Sequence, residues 1–299
     1  MTVVSGKGGV GKSTCVAAMA TALARAGARV LVVEPNGPHR LPALLGAPVV
    51  PAGGSGAIAP GIWGLFLDPE ATMEAYMRSH LRVRLIADRI VKSHIYRRFV
   101  AAAPGLKELV VLGKIMMVYR GRHSVDGVSG FDHLILDAPA TGHGVQLLRV
   151  PRLTLDTFGE SPITREARRV QTMLEADDTF MDIVTLPEEM PVNEALELEG
   201  AIRDVLGLKV GHLLVNAMVG SIGEAGAAWM ADREPAGELS AAAVRAARWC
   251  AARSRMQVEN LERAKEESRA ELATLPFVFE RDERRIVELL ADRMATKES

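Results

Sequence analysis

The chain opens on a short β-prone run, Thr2-Val3-Val4-Ser5, then a glycine-rich stretch from Gly6 to Thr14. Cys15 to Ala26 follows, an Ala-rich segment of helical composition stopped by Gly27. Arg29 to Glu34 is a continuous apolar run of strand length, the pattern of a strand covered on both faces. Strand, loop, helix and strand in this order make a βαβ unit. Comparable runs recur at Asp132–Asp137, Asp182–Leu186 and Gly211–Asn216. Between and after them the pattern predicts helices over Ala71–Val100, Leu106–Val118, Ile163–Ala176, Val192–Leu206 and Ser240–Leu272. Such alternation predicts an α/β fold with a mostly parallel sheet flanked by helices. Residues 70–130 carry helical pattern without an evident strand, which predicts a helical insertion there, with a contribution from residues 155–180. Leu41–Leu67 has no charge, but its four prolines, with Gly53, Gly54, Gly56 and Gly61, break any membrane-spanning helix, so it reads as a loop.

Composition narrows the classes. Of 299 residues, 48% are hydrophobic and 24% charged, which excludes a disordered chain. The formal net charge of −1 argues against a nucleic-acid partner held by a basic field. Cys15 and Cys250 form no CxxC and no disulfide framework, which fits a reducing cytoplasm. Met1 runs almost directly into the glycine stretch without a charged or apolar leader, so the expectation is a cytoplasmic protein with no stable membrane insertion.

The chemistry is concentrated at the first loop. Gly6 to Ser13 matches G-x-x-x-x-G-K-[ST] in full, with Gly6, Gly11, Lys12 and Ser13 in the fixed places. Such a loop wraps a phosphate so that the amides of Gly8, Gly9, Val10, Gly11, Lys12, Ser13 and Thr14 face the anion at a helix N-terminus. Lys12 is expected to reach the β- and γ-phosphates of ATP, and the Ser13 hydroxyl to ligate Mg²⁺. The second lysine, Lys7, marks the deviant form of this motif, in which it stretches across a nucleotide-sandwich dimer toward the partner's phosphates. Asp137, ending an apolar strand, suits an acid that holds Mg²⁺ through water. The fold expected is therefore a P-loop NTPase.

Phe131-Asp132-His133-Leu134-Ile135-Leu136-Asp137-Ala138-Pro139-Ala140-Thr141-Gly142-His143 resembles the switch II segment of the arsenite-pump ATPase ArsA and of the guided-entry ATPases that target tail-anchored membrane proteins. Leu67–Ala71 and Thr185–Glu194 resemble two further segments of that family. The resemblance runs through nearly all of residues 1–299 and implies one deviant P-loop ATPase domain. It also implies that Asn216 and the Pro276–Phe277 loop lie at adenine, and that the helical insertion forms a groove for a hydrophobic client such as a membrane-protein segment. Gly113–Val118, Met73, Met77, Met173 and Met181 read either as that flexible groove or as ordinary core. Nucleotide would open and close a homodimer, or a heterodimer with a homologous ATPase.

Departures from the family matter as much. Aligning His39 and Leu41 with its D-P-A-H-x-L segment puts Asn36 where an Asp orients the attacking water. An amide holds a water but does not take its proton, so Glu34, two residues earlier, is the alternative carboxylate. Asn36 leaves a second reading open: a slow or non-hydrolysing ATP-binding module beside a homologous ATPase. A third reading, an arsenite-pump-like subunit, lacks a thiolate cluster. A partition-type ATPase would need a cationic membrane helix or a DNA-binding surface. Arg284–Met294 is amphipathic, and its mixed-sign polar face favours packing on the domain over lying on a membrane.

Overall fold

The computed structural model describes residues 1–37, 39–80, 93, 105–220, 223 and 238–295. Its centre is one sheet of eight strands: β1 (Thr2–Gly6), β2 (Val30–Glu34), β3 (Ser55–Ala59), β4 (Ile62–Phe66), β5 (His133–Asp137), β6 (Phe180–Thr185), β7 (Val210–Met218) and β8 (Glu271–Pro276). The order across the sheet is β3-β4-β2-β5-β1-β6-β7-β8. Every pairing is parallel except the β3–β4 hairpin. The chain leaves β1 toward β2 on one side and later adds β6 on the other. The crevice beyond the strand ends at this reversal is where open α/β sheets place ligands.

Nine helices of the described residues cover the sheet: α1 (Lys12–Arg25), α2 (Leu41–Leu44), α3 (Pro69–His80), α4 (Leu106–Tyr119), α5 (Thr141–Thr157), α6 (Pro162–Leu174), α7 (Glu189–Gly200, continued by a wide turn over Ala201–Val205), α8 (Glu238–Glu267) and α9 (Glu283–Ala295). Alternate strand residues point to opposite faces, so one apolar run supplies two cores. Val3, Leu31, Val33, Leu134, Leu136 and Ile183 pack under α4, α6 and α7. Val4, Val30, Val32, Ile135, Val184 and Leu214 pack under α1 and α9. Helix α1 can lie close because Cys15, Val16, Ala17, Ala18 and Ala20 of its buried face are small.

The five apolar runs are strands, as their pattern predicts. The Leu41–Leu67 stretch is not the loop expected. It holds α2 and the β3–β4 hairpin, which buries Ile58, Ile62, Leu65 and Phe66. Its glycines serve the pairing: Gly61 turns the hairpin at φ +74, and a side chain at Gly64 would run into the Phe66 ring. The helix expected over Ser240–Leu272 ends at Glu267, and residues 271–276 form the edge strand β8. Buried Glu199 causes this break, accepting hydrogen bonds from Ser268 Oγ and the Arg269 amide at 2.7 and 3.1 Å. Helix α5, with Pro151 inside it, was not signalled by the pattern.

The helix expected over Ala71–Val100 is α3 as far as His80; beyond it, the expectation lies outside the described residues apart from Ser93. Within 70–130 the described residues contain α3, α4 and an isolated Val125–Val128 bridge, without a sheet strand. Helix α9 packs on the sheet through Val287, Leu290 and Ala291 and ties to α1 by an Arg25–Asp292 ion pair. No helix among the described residues is long and apolar enough to cross a membrane.

Candidate functional site

Strands β1, β2 and β5 end side by side, and the loop from Gly6 to Gly11 rises between them. Gly6 has φ +147, and a Cβ there would strike the Val184 carbonyl oxygen of β6, so only glycine lets the strand enter the loop this closely. Gly11 has φ +93, and a Cβ would strike the Asn216 amide. On the other side the loop is open: a Cβ on Gly8 or Gly9 would meet no atom within 4 Å. Helix α1 starts at Lys12 with no side-chain cap and no acid in its first turn. Its first N–H groups and the positive end of its dipole therefore face that opening.

Lys12 is folded over the loop, its Nζ donating to the Gly6 and Lys7 carbonyl oxygens at 3.0 and 2.9 Å. Burial pulls the Lys12 ammonium below its usual pKa, and Asp137 opposes this. Ser13 Oγ donates to Asp137 Oδ2 at 2.6 Å. Asp137 is buried at 8% exposure; desolvation raises its pKa, while the Ser13 bond and Lys12 hold it down. Thr14 lies half-buried in the first turn of α1, and Val10 is buried with its carbonyl accepting from Asn216 Nδ2 at 2.9 Å. Lys7 pairs with Glu194 of α7 in its own chain.

The end of β2 is arranged differently. The Glu34 side chain is only 5% exposed. Its Oε1 accepts from the Arg40 amide at 2.9 Å and its Oε2 from the Leu41 amide at 3.4 Å. It thus caps the start of α2 and closes the intervening loop. Burial pushes its carboxyl up to about 7; the two amides oppose the shift and the charge of Asp137 adds to it. The His39 ring stands 3.8 Å from Glu34, itself 7% exposed, 5.2 Å from the Phe66 ring, and neither ring nitrogen is hydrogen-bonded. Burial lowers the His39 pKa, with Asp68 opposing. Asn36, in the loop that this cap closes, is exposed.

The predicted adenine-side residues also converge. The Phe277 amide donates to the Met218 carbonyl at 2.8 Å, which brings the Pro276–Phe277 turn beside the strand end that carries Asn216. Phe277 meets exposed Phe279 edge to face at 4.8 Å. The turn at Ala217, φ +57, is held by Gln257 of α8, fully buried, which accepts from the Val219 amide at 2.9 Å and donates to the Ala217 carbonyl at 3.4 Å. Nothing in the sequence pattern singled out Gln257 or Phe279, and His39 entered only as an anchor for placing Asn36. Glu194 stood inside a segment singled out by resemblance, but nothing in its spacing pointed to Lys7.

The methionines divide. Met116, Met173 and Met181 are buried core at 1–2% exposure, so the groove reading does not hold for them. Met73 and Met77 instead line an apolar cavity of about 290 Å³ with Tyr76, Leu106, Leu109 and Ile163, between α3, α4 and α6. Cys15 is fully buried, its thiol pushed up to about 12 by desolvation, and Cys250 lies on α8. Among the described residues no group of three His, Cys, Asp or Glu could hold a metal.

Residues 1–176 match the anion-transporting ATPase family, ArsA. ATPase BagA of Mycobacterium tuberculosis is 29% identical over 226 residues, covering 72% of this chain and 64% of the relative. ATPase GET3C of Arabidopsis thaliana is 23% identical over 267 residues, covering 73% and 66%. ATPase ARSA1 of Chlamydomonas reinhardtii is 23% identical over 278 residues, covering 73% and 35%. The chain thus spans a little under two thirds of the mycobacterial relative. A match over more than half its length, on a P-loop sheet of the required topology, makes this chain a member of the anion-transporting ATPase (ArsA) family.

Proposed function

We propose that the chain is a cytoplasmic, Mg²⁺-dependent ATPase of one P-loop domain over residues 1–299. In this reading it works as a nucleotide-switched homodimer, or as a heterodimer with a homologous ATPase, and captures or targets a hydrophobic client. The observation that carries the reading is the cradle itself: open glycines, an uncapped helix start, Lys12 held over the loop, and Ser13 bonded to Asp137. These residues suit the group they would bind. The amides of Gly8 to Thr14 would face the phosphates, Ser13 and Asp137 would hold Mg²⁺, and Asn216, Pro276 and Phe277 would border adenine. When bound, Mg²⁺ would supply neutralisation of the charge on the phosphates.

The chain's own groups do the rest. Lys12 exchanges its two carbonyl acceptors for phosphate oxygens, a stronger, charge-assisted bond. Lys7 must leave Glu194 to reach across a dimer. That pair is 39% and 30% exposed, and such pairs are worth only about 0.2–1 kcal/mol, so a multiply charged phosphate outcompetes it. Asn36 can hold an attacking water but not accept its proton. Glu34, spent on the Arg40 and Leu41 amides, positions the loop around Asn36. The cavity at Met73 and Met77 marks the side of the helical insertion where an apolar client segment would enter.

That commitment of Glu34, together with the amide at Asn36, favours one alternative: slow or absent hydrolysis in a module that binds ATP and regulates a homologous partner. An arsenite-pump-like role is the weaker alternative, because buried Cys15 offers no soft ligand. Calorimetry with Mg-ATP, and sedimentation with and without a non-hydrolysable analogue, test the proposal. Wild type should bind and pair; Lys7→Ala should bind but pair at least about tenfold less tightly, the loss of one charged hydrogen bond. No heat on mixing overturns the nucleotide reading, and binding without pairing overturns the dimer.

A further inference from the structure

Helices α4 and α6 run in the same direction. Their first turns share the apolar cavity, and Gly113 in the middle of α4 faces Glu166 of α6. A second, open cleft of about 320 Å³ is lined by Arg120, just past the end of α4, and by Arg165, Arg168, Arg169 and Thr172 along α6. Tyr119, adjoining Arg120, donates its hydroxyl to Asp178 at 2.6 Å, just before β6 begins. The cleft therefore lies at the edge of the sheet where strands start, opposite the P-loop.

Packing does not explain these arginines. Thr164, Ala167, Val170, Met173 and Leu174 form the buried face of α6. Arg165, Arg168, Arg169 and Thr172 stand exposed on its other side. Arg165 is three residues before Arg168 and four before Arg169, spacings at which like charges weaken a helix. Intrachain carboxylates relieve little of this. Arg168 meets Glu160 at 3.0 Å and Arg169 meets Glu166 at 3.3 Å, each guanidinium more than half exposed. Arg120 and Arg165 have no carboxylate within ion-pair distance among the described residues. Four guanidinium forks and one hydroxyl thus converge on a space with a surplus of N–H donors, in a chain whose net charge is −1.

We propose that this cleft binds a phosphate-bearing ligand. Guanidinium forks match both carboxylate and phosphate geometry. Charge density separates the two: Glu160 and Glu166 leave two of the four guanidinium charges unmatched, and one phosphate monoester, with about −1.5 to −2 and three acceptor oxygens, neutralises them. Matching the same charge with carboxylates takes two side chains and their backbone in one space of about 320 Å³. Arg120 and Arg165, free of internal carboxylates, make the bidentate contacts, and Arg168 and Arg169 turn inward from Glu160 and Glu166; Thr172 Oγ1, which donates to the Arg168 carbonyl at 2.9 Å, lines the wall without a donor to spare. The phosphate comes either from a soluble phosphorylated compound or from a lipid headgroup, a chemistry common to both.

The test uses the full chain saturated with Mg-ADP and two probes, inorganic pyrophosphate by calorimetry and vesicles containing phosphatidic acid, a phosphate monoester, by co-sedimentation. Phosphatidylcholine vesicles and sodium chloride of equal ionic strength are the controls. Wild type should bind one probe at least about tenfold more tightly than the double variant Arg120→Ala/Arg165→Ala, with both proteins melting at the same Tm. Any pyrophosphate reaching the P-loop survives in the double variant and is subtracted. Arg165→Lys should fall between, keeping the charge but losing the fork. A pyrophosphate response assigns a soluble ligand, and a vesicle response alone assigns the headgroup. If wild type binds neither probe, or the double variant binds both as wild type does, the cleft is only a solvated arginine face and the proposal is overturned.

Discussion

Strands β2 and β5 lie side by side, in register from Val30 opposite His133 to Val33 opposite Leu136, and each ends on a buried acid. Their carboxylates nevertheless have different work. Asp137 accepts from the Ser13 hydroxyl, a side chain that can turn aside for a metal. Glu34 accepts from two backbone amides of its own following loop, which cannot leave without unwinding α2. The pKa shifts follow. Burial raises both; the Ser13 bond and Lys12 hold Asp137 down, whereas at Glu34 the Arg40 and Leu41 amides and the Arg40 charge oppose the shift, the Asp137 charge adds to it, and the carboxyl reaches about 7. Topology sets where an acid sits; the donors offered by the next loop set whether it can exchange partners.

The largest expected effect breaks the β5 side of this comparison. Lys12→Ala should weaken Mg-ATP binding by about 10- to 100-fold in calorimetry, as loss of a charged hydrogen bond worth about 1.5–3 kcal/mol implies. Unchanged affinity would show that phosphate does not sit at this strand end. Next, Asn36→Asp places a free carboxylate beside the committed one. We expect kcat to rise on the order of 10²-fold with KM little changed, the general-base contribution that Asn36 forgoes. Equal rates in a quenched-flow assay would mean that Glu34 already serves.

A smaller effect tests Glu34 directly. Its folded pKa of about 7 lies above the ordinary 4.5, so the native state holds a proton that the unfolded chain has lost. Stability from this group is full below pH 4.5 and falls as pH rises toward 7. Glu34→Gln should remove that slope from a Tm–pH profile, and a slope that persists assigns it elsewhere. The smallest effect lies near the strand starts, where His212 on β7 meets Asp182 at 3.2 Å and is 47% exposed. The Asp182 hydrogen bond raises the His212 pKa, so its contribution is full below pH 6.5 and lost above it. His212→Gln should lower Tm by about a degree or less below that pH and match wild type well above it, given the screening of a half-exposed pair.

Much of the site was legible because its residues are local. Gly6, Gly11, Lys12 and Ser13 act through one loop and the helix it opens, and short-range spacing records such geometry. Asp137 could be found because a strand end is a local signal too. The partners were not legible. Asn216 meets the Val10 carbonyl and Lys7 meets Glu194 across long stretches of chain, and no spacing encodes those contacts. Likewise β3, β4 and β8 were hidden. Proline and glycine mask the hairpin's alternation, and β8 follows a long polar helix with only three residues between.

By itself the amino-acid order determined the phosphate loop, the five strands with continuous apolar runs and the α/β class, because each depends on neighbours within a turn or a strand length. Only the tertiary structure decided that Glu34 caps α2, that Met116, Met173 and Met181 are core while Met73 and Met77 line a cavity, and that four arginines share one cleft. Those outcomes depend on which surfaces meet when sheet and helices pack. A carboxylate, a thioether or a guanidinium has no role of its own until the groups facing it are in place.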